Sequence, residues 1–231
     1  MTVAAVILAA TAASALADAD GTPAVRRNAD TAWAGGATPI VVVAHDPDGD
    51  IGRVLATSDV TVAEPAPREA GPVAQIVRGI TVAAELVADT EAALVWPARM
   101  AWVDAETVTT LIAAHGADRG AVLRPSYDGV PGWPALVPLS VVAALAALPA
   151  HRMPDELLDD LAASGVAVHL VESGDPGTVH DVGTARASLP PYDGPPEPSN
   201  AHAHEWGAAA AEDPDDAEPP EPARVAYPDG N

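Results

Sequence analysis

The chain of 231 residues contains no cysteine and no phenylalanine, and arginine supplies all 11 of its Lys/Arg positions. Without cysteine there can be no disulfide, no iron–sulfur cluster and no thiolate zinc site, and redox chemistry leaves no trace of the compartment. Without phenylalanine, and with only five Trp and three Tyr, the core has to be packed from Ala, Val and Leu. Positive charge is scarce: 33 acidic residues against 11 basic ones give a net charge of -22. The only adjacent basic pair is Arg26-Arg27. A surface this negative repels polyanions, which argues against DNA, RNA and anionic membranes as partners. It also disfavours a free nucleoside triphosphate unless a divalent cation bridges the two charges. No apolar run is long enough to span a bilayer.

What is present is a patterned, 48% apolar chain long enough for one α/β domain with an appendage. Short β-branched runs alternate with longer amphipathic stretches. Strands are predicted over 3–8, 39–44, 59–64, 92–96, 121–125, 166–172 and 178–182. Helices are predicted over 23–33, 71–88, 139–148 and 154–164. Another helix follows Asp104, a good N-cap, and carries Val108, Leu111 and Ile112 on one face. This alternation implies βαβ crossovers and a mostly parallel sheet covered on both faces, an α/β architecture. Ligands of such sheets bind at the carboxyl ends of the strands, so the informative loops follow Ala10, Ala44, Trp96 and Pro125. From Leu189 to Asn231 the chain turns Pro-rich and acidic and reads as a disordered or surface-hugging tail after a domain over 1–188. Tyr192, Trp206 and Tyr227 are the aromatics that could dock it on the domain or on a partner.

The first twenty residues have two readings. Val3–Leu8 suits a buried parallel strand of a cytoplasmic protein. Alternatively, Ala15-Leu16-Ala17 before Asp18 has the form of a cleavage site, which would make residues 1–17 a secretory signal; the lack of a basic n-region counts against this. Two further clusters read as structure rather than chemistry. "HDPDGD" (His45 to Asp50) lacks the bidentate Glu and flanking helices of a calcium loop and reads as a turn. "HAHEW" (His202 to Trp206) has no second ligand cluster and reads as tail composition.

Several fragments, in collinear order, resemble one family. They are "VILAA" (Val6 to Ala10), "DGTPAVRR" (Asp20 to Arg27), "PIVVVA" (Pro39 to Ala44) and "GPVAQIVRGI" (Gly71 to Ile80). "LVWPARMAWVDAETV" (Leu94 to Val108), "RPSYDGVPGWP" (Arg124 to Pro134) and "DPGTVHDVGTA" (Asp175 to Ala185) follow. Together they resemble the MobA-like NTP transferases, which include the molybdenum-cofactor guanylyl- and cytidylyltransferases. The resemblance implies a Rossmann-like three-layer fold with a mostly parallel sheet. It also implies transfer of a nucleotidyl group from an NTP to a phosphorylated acceptor, with Mg²⁺ held by carboxylates and cationic donors around the triphosphate.

Against that pattern the phosphate loop and the metal aspartate are lost, the closing motif survives in part and the glycine loop is altered. Thr11, Ala12, Ala13 and Ser14 stand where relatives carry a basic glycine-rich loop; Thr11 or Ser14 can also be read as a helix cap. Arg99 falls where the resemblance places a Mg²⁺-binding aspartate, either to grip an anion or to pair with a nearby Asp. Asp181 matches the first aspartate of the closing "D-I-D-T-P" motif and is the remaining metal candidate, while Gly183 replaces the second. The loop that resembles "P-x-Y-x-G-x-x-G-H-P" keeps Gly129 and Gly132 but has Trp133 in place of His, either to stack on a base or to pack. The expectation is a catalytically degenerate nucleotidyltransferase-like protein that binds a protein partner or a small nucleotide-like ligand. The alternative is an active Mg-dependent enzyme using GTP or CTP on a phosphorylated acceptor such as molybdopterin.

Overall fold

The structure, a computed structural model, describes residues 2–194. Of the tail read from the sequence, residues 195–231, with Trp206, Tyr227 and the "HAHEW" cluster, lie outside the described residues.

The run "TVAAVILA" has no polar residue after Thr2 and can only be buried on both faces. It forms β1 (Thr2–Ala9) in the middle of the sheet. The small hairpin β2 (Asp18–Ala19) and β3 (Thr22–Pro23) leads into helix α2 (Ala24–Ala34); the single turn α1 (Ala12–Ala15) precedes it. Next come β4 (Ile40–Ala44), α3 (Asp50–Leu55), β5 (Val60–Ala63), α4 (Gly71–Leu86), β6 (Thr90–Pro97) and α5 (Ala105–Ala117). The remaining elements are β7 (Val122–Tyr127), β8 (Val130–Pro131), β9 (Ala135–Pro138), α6 (Val142–Ala146), α7 (Pro154–Ala163) and β10 (Val168–Glu172).

The main sheet runs β10-β7-β9-β6-β1-β4-β5. β1 pairs in parallel with β4 on one side (Ala5 opposite Ile40, Ala9 opposite Ala44) and with β6 on the other (Ala5 opposite Leu94, Leu8 opposite Pro97). The chain thus winds outward through β4 and β5, then returns to the opposite side of β1. That reversal opens a crevice between the loops after β1 and β6, where α/β sheets take their ligands. α4 packs on β1 and β4 with α6 and α7 beside it, and α2 packs on β1 and β4 with α5, α1 and α3. The layers are those of a Rossmann-like α/β domain. The core is built as the composition requires, from Ala, Val, Leu and Ile along β1, β4 and β6, with Trp96 fully buried and its indole N–H donating to Met100 O at 2.8 Å.

Besides α3, β8 and the β2–β3 hairpin, which the sequence reading did not contain, two larger details differ from it. β9 was not expected: its four residues follow Pro134 and end in Pro138, too short a run to show a period, and it pairs antiparallel with both β6 and β7. The strand expected over 178–182 is instead a 3-10 turn (Pro176–Thr178) and an irregular loop. The β-branched Thr178, Val179 and Val182 suggested a strand, but the local hydrogen bonds are already committed. Asp175 accepts from Gly177 N–H at 2.8 Å, and Thr178 O accepts from Trp133 N–H at 2.9 Å.

Candidate functional site

The candidate site lies at the carboxyl ends of β1, β4 and β6. The loop after β1 makes one helical turn because Thr11 and Ser14 cap it reciprocally. Ser14 N–H donates to Thr11 Oγ1 at 3.1 Å, Thr11 N–H donates to Ser14 Oγ at 3.3 Å, and Ser14 Oγ–H reaches Thr11 O at 2.8 Å. Both hydroxyls are engaged within the turn, Thr11 Oγ1–H donating to Ser14 Oγ at 3.1 Å, and the neighbouring alanines bring no side-chain donor. A cavity of about 280 Å³ opens beside this loop, between Ala9–Ala12 and the segment His45–Asp48 with Asp50. Its far wall is acidic. Asp46 takes Ile51 N–H at 3.1 Å and Gly52 N–H at 2.8 Å, and these backbone donors hold its carboxyl below the usual range. His45 pairs with Glu64 at 3.0 Å. The "HDPDGD" segment is a turn that starts α3.

The loop after β6 carries Arg99, and the loop after the 3-10 turn carries Asp181. The fold brings these two together: Arg99 Nη1 lies 3.6 Å from Asp181 Oδ2. Backbone bonds hold the two loops in register. Val182 N–H donates to Arg99 O at 3.0 Å, and Asp181 Oδ1 accepts from Gly183 N–H at 2.9 Å. Trp102, which the sequence reading passed over, is the pivot. Its indole N–H is shared between Asp181 O (2.9 Å) and Thr184 O (3.0 Å), and the Arg27 guanidinium lies 5.4 Å over its ring. The signal available in the sequence was a lone Trp beside an N-cap in a chain poor in aromatics. Behind it, buried Asp175 accepts from Asp104 N–H, Thr107 Oγ1–H and Gly177 N–H, each at 2.8 Å. Burial pushes the Asp175 carboxyl up despite these donors. Asp104 caps α5 through Glu106 N–H.

The loop from Arg124 to Pro134 carries Gly129, Gly132 and Trp133, and it bonds to the loop that leads to Asp181 through Trp133 N–H and Thr178 O. Gly129 is the tip of the β7–β8 hairpin, where Asp128 (φ 50°) and Gly129 (φ 75°) form the paired left-handed turn that favours Asp-Gly. Gly132 N–H donates to Pro125 O at 2.7 Å. Trp133 is buried in the core, donating to Asp155 Oδ1 at 2.9 Å, with the Arg124 guanidinium 5.6 Å over its ring. Of the residues singled out from the sequence, then, the structure gathers Arg99 and Asp181 directly, sets Thr11 and Ser14 on the neighbouring strand end, and puts Gly129, Gly132 and Trp133 in turn and core positions.

A divalent cation does not fit the donor set at Asp181. A guanidinium already faces that carboxylate, Asp104 is a helix cap and Asp175 is buried with its oxygens occupied. Among the described residues no group of three or more His, Asp or Glu converges on a common point.

The sequence matches the MobA-like NTP transferase domain over residues 5–166. Comparison with curated protein sequences gives no match. The fold is similar to that of a nucleotidyl transferase from Methanothermobacter thermautotroptrophicus, at 18% identity and a TM-score of 0.63, over 76% of this chain and 88% of that one. It is similar also to 4-diphosphocytidyl-2C-methyl-D-erythritol synthase from Anaerococcus prevotii, at 14% identity and a TM-score of 0.61, over 80% of this chain and 97% of that one. A third neighbour is Rv0371c from Mycobacterium tuberculosis H37Rv, in complex with manganese, at 20% identity and a TM-score of 0.56, over 74% of this chain and 88% of that one. With the family match spanning most of the domain and the topology in agreement, the chain belongs to the MobA-like NTP transferase domain family.

Proposed function

We propose that this member of the family has lost nucleotidyl transfer and acts as a binding or assembly module, taking a protein partner or a small nucleotide-like ligand at the cleft bounded by Thr11, Arg99 and Asp181. One observation carries the reading: the Arg99 guanidinium lies 3.6 Å from Asp181, the carboxylate that the family resemblance assigns to the metal. Transfer from a triphosphate needs fixed positive charge where the phosphates develop negative charge, and a metal held by carboxylates. Here Arg99 faces Asp181, and the loop after β1 offers as side-chain donors only two hydroxyls, both engaged within their own turn. The cavity beside that loop is lined by Asp46, Asp48 and Asp50, which repel a polyphosphate.

The alternative is an active Mg-dependent nucleotidyltransferase using GTP or CTP on a phosphorylated acceptor such as molybdopterin. The manganese complex of the Mycobacterium tuberculosis neighbour favours it. Pyrophosphate release by the purified chain, with GTP or CTP, Mg²⁺ and the acceptor, separates the two. The expected outcome is release at the level of the no-enzyme control and no metal-dependent rise in melting temperature with either nucleotide. Release that disappears in Asp181→Ala would establish the active enzyme instead.

A further inference from the structure

The chain beyond the closing loop crosses the back of the candidate site at several anchor points. Arg186 Nη1 lies 3.9 Å from Asp20 Oδ2. Leu189, in extended polyproline-like backbone (φ -69°, ψ 145°), joins a small apolar cluster with Ala19, Ala24, Ala101, Trp102 and Val182. Tyr192 Oη–H donates to Glu106 Oε2 at 2.9 Å, and Asp193 N–H to Gly174 O at 3.4 Å. Gly174 adopts φ +62° directly against the backbone of Gly194, and a methyl group there would fall on the Gly194 carbonyl. Beneath these anchors lies a cavity of about 220 Å³, lined by Trp102, Asp104, Asp175, Gly177, Arg186 and Tyr192 among others.

We propose that residues 186–194 are a strap that holds Trp102 in place, and that through Trp102 it sets the loops carrying Arg99 and Asp181. The coupling is physical and short. Leu189 packs in the cluster that contains the Trp102 ring, and the Trp102 indole N–H bonds both Asp181 O and Thr184 O. A segment held by a few hydrogen bonds over unfilled space opens at lower free energy than the sheet beneath it. When it opens, Trp102 loses its Leu189 cover and the Asp181 and Thr184 carbonyls lose a fixed donor. Trp102 is thus a positioning residue and the strap a conformational device. The inference rests on the proposed function only in calling the Arg99–Asp181 cleft the binding site. Hydrogen exchange reads the strap and pyrophosphate release reads the chemistry, so either can fail alone.

The test is hydrogen–deuterium exchange on the full chain, comparing wild type with Gly174→Ala, Gly165→Ala and Tyr192→Phe. Gly165 also has a positive φ, +93°, but nothing lies within reach of an added methyl, so it reproduces the backbone cost without displacing the strap. Gly174→Ala is expected to raise exchange in 97–104 and 180–192 about tenfold, with tryptic cleavage after Arg186 accelerated in parallel, while Gly165→Ala leaves those segments at wild-type rates. Tyr192→Phe removes one hydrogen bond and is expected to raise the same segments about fivefold. Should Gly174→Ala fail to fold, Tyr192→Phe decides alone. Exchange unchanged in these variants overturns the proposal. So does an increase confined to 186–194 with 97–104 and 180–184 unmoved.

Discussion

Two arginine–aspartate pairs of nearly equal separation sit in this domain, and they behave as different objects. Arg124 Nη2 lies 3.5 Å from Asp155 Oδ1 and Arg99 Nη1 lies 3.6 Å from Asp181 Oδ2. The Arg124 side chain is 7% exposed, that of Arg99 54%. Arg124 is cross-braced: it lies over the Trp133 ring, donates to Gly132 O at 3.4 Å and shares Asp155 Oδ1 with the Trp133 indole. Burial pushes its guanidinium down from the ordinary value, while Asp155 and Asp159 pull the other way. Arg99 touches only the rim. The contrast shows how differently the same ion pair weighs in the core and at the rim. At the rim, charges can be exchanged without leaving anything buried and unpaired; in the core a single deletion orphans several groups at once.

The largest effect that would sharpen this contrast is Trp133→Ala. The ring is buried, so its loss should cost about 3–5 kcal/mol of unfolding free energy by urea titration. A cost near that of a surface substitution would mean that the core is not braced as described. Next comes Asp155→Ala, which strips the acceptor from both the Trp133 indole and Arg124. The expected loss is about 1–3 kcal/mol, tempered because Asp155 itself faces solvent and water can take over part of its role. Asp155→Asn, which keeps an oxygen for the indole, should recover part of that loss.

These contrasts also mark what could be read from the sequence. The central strands were legible because "VILAA" and "IVVVA" leave no polar face to expose, and α4 and α5 because their apolar residues recur at helical spacing. β9 was not legible, since a four-residue run that follows one proline and ends in another carries no period. The loop around 178–182 was misread because β-branched residues vote for a strand, while Asp175 holds its start in a 3-10 turn and Trp133 claims the Thr178 carbonyl from a distance. At the candidate site the types of residue were visible but their partners were not. That Arg99 would face Asp181 is a tertiary fact, separated by 82 positions in the chain. The central role of Trp102 depends on two carbonyls from the far end of the domain.

His115 sharpens the comparison from the other side, as a buried polar group with no brace at all. It is fully buried in the last turn of α5, and neither ring nitrogen has a partner. Burial lowers its pKa from 6.5, outweighing Glu91 and Asp118, which raise it; Arg119 lowers it further. The unfolded chain takes up a proton at this residue as pH falls through about 6.5, and the folded chain does not. The contribution of His115 to stability is therefore complete above that pH, is lost as pH falls below it, and levels off beneath the lowered folded value. Urea titrations at pH 7.5 and 5.5, in wild type and in His115→Leu, are expected to show a smaller pH dependence in the variant. Equal slopes would place His115 among solvated groups.

The smallest expected effect is at the rim. Arg99→Ala should change unfolding free energy by less than about 1 kcal/mol, because both partners are partly solvated and the pair is too long for a direct hydrogen bond. Asp181 does not depend on Arg99 for its position: Gly183 N–H holds its carboxylate, and the Trp102 indole and Thr184 N–H hold its carbonyl. The same substitution measured at low and high salt should give nearly the same small value, since little Coulomb energy is there to be screened. A loss of several kcal/mol would mean that the rim pair is braced like Arg124 and Asp155. The distinction between a braced core and a solvated rim would then collapse.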